Sequence, residues 1–81
     1  MKLLLVKLLG EFHDEEKIEV ISDKNDILRL KEVGLGFARE RGVHDAKWAN
    51  WSLPAMGYHK LKEPSKFLLE LSETEFLVIS E

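Results

Sequence analysis

Only one stretch of this chain has the period of an α-helix with both ends marked, and that limits the folds open to it. Ile27, Leu30, Gly34, Phe37, Ala38 and Arg41 recur at helical spacing, while Arg29, Lys31, Glu32, Arg39 and Glu40 take the positions between. Upstream, Ser22-Asp23-Lys24-Asn25-Asp26 is dense in side chains that accept hydrogen bonds from the free amides of a first helical turn. Downstream, Arg39 and Arg41 suit the negative end of the dipole and Gly42 can close the helix. One amphipathic helix cannot bury its apolar stripe alone and needs a sheet to lie on.

The flanking segments supply that sheet. Lys2 to Leu9 presents Leu4, Val6 and Leu8 on one alternating face and Leu3, Leu5 and Leu9 on the other, with Lys7 interrupting the second. Apolar residues on both faces predict an interior strand covered on each side. Lys17-Ile18-Glu19-Val20-Ile21 alternates with β-branched residues, so the two runs predict an antiparallel hairpin with His13-Asp14-Glu15-Glu16 at its tip. After the helix, Phe67 to Leu71 and Phe76 to Ile79 flank Ser72-Glu73-Thr74-Glu75 as a second hairpin, preceded by a turn at Lys62-Glu63-Pro64-Ser65. Trp48 to Leu53 and Tyr58 to Leu61 are further strand candidates, with Pro54 confining that stretch to an edge, bulge or loop. The expectation is one α+β domain spanning 1–81: a small antiparallel sheet of four or five strands with one long helix packed on one face, in the order β-β-α-β-β(-β).

Gly34 and Gly36 fall inside the helix, where each costs about 1 kcal/mol relative to alanine. Gly34-Leu35-Gly36 lacks the preceding strand and third glycine of a dinucleotide-binding loop. The expectation is that the missing side chains let the helix approach the sheet closely, or that the helix kinks there. The sheet face away from the helix carries Leu and Phe residues that also need cover. Pairing of that face with a second copy, giving a homodimer or larger homo-oligomer, follows as an expectation.

Composition excludes several classes. The 81 residues contain no cysteine, which removes disulfides, Cys-ligated zinc, iron–sulfur clusters and a thiol nucleophile. The amino terminus begins like a signal peptide, but Lys7 breaks the apolar run and Glu11 to Glu16 bring acids with no small-residue cleavage site. No run is long enough to span a bilayer, so the expected location is cytoplasmic, with no membrane partner.

The net charge of −3 is unevenly distributed. Residues 23–62 carry +3 and the two ends together −6. Within the basic middle, residues 47–62 hold both tryptophans, the single tyrosine and an internal methionine beside three lysines. Trp and Tyr dominate protein hot spots when desolvated. Aromatics with adjacent cations also stack bases while lysines neutralise phosphates. At a spacing of three, Trp48 and Trp51 share a face only in a helical turn; in a strand one of them points away from the core.

Catalytic patterns are weak. His13 stands among acids and His44 beside Asp45, but adjacent residues diverge in regular structure, and no H-x-x-x-H or H-x-x-E-H spacing occurs. His44-Asp45 resembles the adjacent metal-binding pair of HD-type phosphohydrolases, which require a larger helical bundle and further ligands that this chain lacks. No serine lies in G-x-S-x-G. A domain of this size can hardly enclose a pocket of ~300 Å³ without spending its core.

The expected function is therefore a non-enzymatic interaction module that binds and modulates or inhibits another protein, without metal or cofactor. Its size is that of many viral and mobile-element accessory proteins. Trp48, Trp51, Met56 and Tyr58 are the candidate anchors, with His59, Lys60 and Lys62 on the rim. The alternatives are a binder of single-stranded nucleic acid or a nucleotide, through the same segment with Arg39 and Arg41, and a homo-oligomeric structural protein.

Overall fold

In the structure, a computed structural model, residues 1–13, 15–50 and 65–80 are described. The chain forms β1 (Lys2–Leu9), β2 (Glu15–Asp23), α1 (Ile27–Glu40), β3 (Ala49–Asn50), β4 (Ser65–Glu70) and β5 (Glu75–Ser80). These build a small α+β fold, an antiparallel sheet in the order β2-β1-β5-β4-β3 with one helix. Among the described residues the sheet has five strands, of which β3 contributes two residues. The two chain-terminal strands, β1 and β5, pair with each other in the interior, in the register Leu3↔Ile79, Leu5↔Leu77 and Val6↔Phe76.

That position explains why both strands are apolar on both sides. Odd-numbered residues Leu3, Leu5, Leu69, Leu77 and Ile79 form one core with Leu30 and Ala38 of α1. Even-numbered Leu4, Val6, Phe76 and Val78 form a second core on the opposite face, joined by Leu8 and Leu68. Those four are between 0 and 3% exposed within the single chain. The face expected to need cover is thus buried at these four positions within the single chain.

The helix follows its sequence signals. Asp26 is the N-cap, its carboxylate accepting from the Leu28 and Arg29 amides at 3.1 and 3.3 Å. Ser22 and Asp23, also candidates for that role, instead lie in β2 opposite Leu3 and Lys2. Leu30, Gly34 and Ala38 are its buried residues, one every four positions. At the other end Gly42, with φ of 83°, donates to Arg39 O while Val43 donates to Ala38 O. This is a Schellman closure, which needs a residue in the left-handed region just past the helix.

The first hairpin turns earlier than expected. Its turn runs from Gly10 (φ 90°) to His13 (φ 54°), with His13 N donating to Gly10 O, and Glu15 and Glu16 already belong to β2. Asp14 lies outside the described residues. Glycine at position 10 supplies the left-handed conformation the reversal needs, so the acids are free to pair as strand residues with Leu9 and Leu8. In the second hairpin the Ser72 hydroxyl accepts from the Thr74 and Glu75 amides at 3.3 and 3.1 Å, holding the turn between β4 and β5.

Candidate functional site

The region that stands out in sequence, residues 47–62, begins beside a residue that is tied to the helix. Trp48 is half-buried. Its indole Nε1–H donates to the Lys31 carbonyl at 3.0 Å. The six-membered ring lies against Gly34: a Cβ there would overlap Cζ2 and stand 3.2 Å from Cη2. Lys31 and Gly34 are one helical turn apart, so they present one face to the indole. Gly34 therefore serves the approach of a tryptophan ring, rather than of the sheet or a kink. Gly36 does not share that role, because a Cβ at that position would have no neighbour within 4 Å.

The same seat reaches the sheet. The Lys31 ammonium lies 3.9 Å from the centroid of the Phe67 ring, a cation–π contact. Phe67 pairs with Asn50 on one side and Ile79 on the other. Lys31, Gly34, Trp48 and Phe67 thus join α1 to the β3–β4 edge. Sequence reasoning missed Lys31 and Phe67, since nothing local links either to Trp48. The glycine in the buried stripe was the available signal.

Immediately after Trp48, Ala49 and Asn50 pair with Leu68 and Phe67. This is the described part of the strand expected over Trp48 to Leu53. The other proposed anchors and rim residues (Trp51, Met56, Tyr58, His59, Lys60 and Lys62) lie outside the described residues, as do the strand expected at Tyr58 to Leu61 and the turn expected at Lys62 to Pro64. Ser65 is already in β4.

Of the basic residues assigned to the nucleic-acid alternative, Arg41 is engaged. Its Nη1 donates to Glu75 Oε2 at 2.6 Å, and its guanidinium lies 4.9 Å from the Phe37 ring centroid. Arg39 is exposed in the last turn of α1. An open groove of about 550 Å³ lies between the loop after the helix and the β4–β5 turn, lined by Val43, Asp45, Lys47, Glu70 and Glu73 among others. Its lining mixes three acids with one lysine. This groove is open to solvent.

The chain matches no known protein family, no curated protein and no solved structure.

Among the described residues no group of three or more His, Cys, Asp and Glu is arranged to hold a metal ion. His13 sits exposed in the β1–β2 turn and His44 in the exposed loop after α1. No described helix is long and apolar enough to cross a membrane.

Proposed function

We propose that this chain is a cytoplasmic, non-enzymatic module that binds and modulates another protein through the segment 47–62. The observation that supports this reading is the tether on that segment. Trp48 donates to α1, and the described residues on either side of the aromatic-rich stretch, Asn50 and Ser65, belong to the paired strands β3 and β4 at one edge of the sheet. Fixing both ends of a segment lowers the entropy lost when it docks, which raises affinity without new contacts. Trp51, Met56 and Tyr58 are the anchors in this reading, with His59, Lys60 and Lys62 around them. Trp48 supports the segment from within. The nucleic-acid alternative draws on Arg41, whose guanidinium is already bound to Glu75.

Affinity capture from source-cell lysate, with and without nuclease, tests the proposal. A protein band that resists nuclease and is lost on Trp51→Ala/Tyr58→Ala is the expected result, with the far-UV spectrum and melting temperature of that variant nearly unchanged. Signal that vanishes with nuclease assigns the segment to nucleic acid instead. Unfolding of the double variant returns those two rings to the core.

A further inference from the structure

The free edge of the sheet at β2 has a pattern that matches itself. Among the described residues no strand pairs with the outer side of β2, a nine-residue strand in the order β2-β1-β5-β4-β3. Ile18 and Val20 are 39 and 56% exposed there. They stand opposite Val6 and Leu4 of β1, so they lie on the face of the second core, at the sheet's margin. Lys17 and Glu19 point to the helix face, where Lys17 stands opposite Lys7 and Glu19 opposite Leu5. Neither has an opposite charge directly across β1.

We propose that two copies of this chain pair antiparallel through their β2 edges, centred on Ile18. Antiparallel pairing of identical strands places the two-fold axis perpendicular to the sheet. Like faces then adjoin, and each residue must meet one of the same alternation. The axis therefore passes at a residue. With the axis at Ile18, Lys17 of each copy faces Glu19 of the other, giving two reciprocal ion pairs on the helix face. Ile18 faces Ile18 on the opposite face, with each Val20 diagonal to the other copy's Ile18, so the second core runs on across the interface. Glu16 of each copy faces Val20 of the other at the ends of this patch. Centring on Glu19 or Lys17 sets like charges directly opposite each other. Centring on Val20 crosses the irregularity where Ile21 is skipped between Leu4↔Val20 and Leu3↔Ser22, which inverts the alternation beyond it. Only the Ile18 register pairs charge and apolar surface together. The inference uses the β2 edge, opposite to the β3–β4 edge that bears the segment proposed to dock a protein partner, and is independent of that proposal.

Sedimentation equilibrium over micromolar to submillimolar concentrations tests it with charge reversals at two exposed positions that the fold does not depend on. The wild type is expected to approach twice the chain mass. Lys17→Glu and Glu19→Lys should each raise the dimer dissociation constant about tenfold or more, since each turns two attractive cross-strand pairs into repulsive ones. Mixing the two single variants should restore association as a heterodimer, and Lys17→Glu/Glu19→Lys should restore it within one chain. A monomeric wild type over the whole range overturns the proposal. So does a dimer that is indifferent to the single reversals, or one that neither the mixture nor the double variant restores.

Discussion

The Trp48 indole occupies the space that a side chain at Gly34 would need, held there by its hydrogen bond to the Lys31 carbonyl one helical turn away. A glycine that weakens the helix on its own terms is thus required by a residue fourteen positions further along the chain.

The two helical glycines should respond to alanine with opposite signs. Gly36→Ala meets open space and should stabilise the protein by up to ~1 kcal/mol, the helix-propensity gain. Gly34→Ala should destabilise it by about 1–3 kcal/mol, because the added methyl displaces a ring with little freedom to move. In a Trp48→Ala background the Gly34→Ala change should become neutral or stabilising, since the obstacle is gone. Urea denaturation of these variants beside wild type measures all three effects.

Both helix ends should carry measurable stability. Asp26→Ala leaves the Leu28 and Arg29 amides without their acceptor and should cost about 1 kcal/mol. Gly42→Ala forces a side chain to φ of 83° and should cost about 1–2 kcal/mol. Midpoint shifts in chemical denaturation, with an unchanged slope, are the expected readout.

Ser80 closes β5 with its hydroxyl buried and without a hydrogen-bond partner among the described residues. A buried polar group left unsatisfied costs about 1–3 kcal/mol. Ser80→Ala should therefore raise the melting temperature, and a fall would mean that the hydroxyl is satisfied after all.

The Arg41–Glu75 pair joins the end of α1 to the start of β5 while both side chains keep partial contact with solvent. Its removal by Arg41→Met should cost no more than ~1 kcal/mol, and the difference from wild type should shrink as salt is added. Thermal melts at low and high ionic strength separate this ionic part from lost packing on Phe37.

Much of the architecture was legible in local pattern. The two-residue period of Leu3 to Leu9 predicted an interior strand, and β1 lies between β2 and β5. The four-residue recurrence of Leu30, Gly34 and Ala38 predicted the buried stripe, and Asp26 and Gly42 mark the helix ends they were expected to mark. These are properties of neighbours along the chain, since caps, turns and alternation act over a few residues. Position within such a pattern is less sharply determined: Glu15 and Glu16 suit a turn or an edge strand equally, and the geometry at Gly10 and His13 assigned them to the strand.

Contacts distant in sequence needed the folded chain. Nothing near Gly34 indicates that its missing side chain makes room for Trp48, and nothing near Arg41 names Glu75 as its partner. That Leu4 and Val6 of the first strand stand beside Val78 and Phe76 of the last likewise follows only from pairing those two strands. Local residue order was enough to choose which segments become strands and helix and where the helix begins and ends, because sterics and hydrogen bonding between near neighbours make those choices. Which faces meet, which charges are already paired and which edge stays open depend on segments far apart in the chain, and their packing alone decided them.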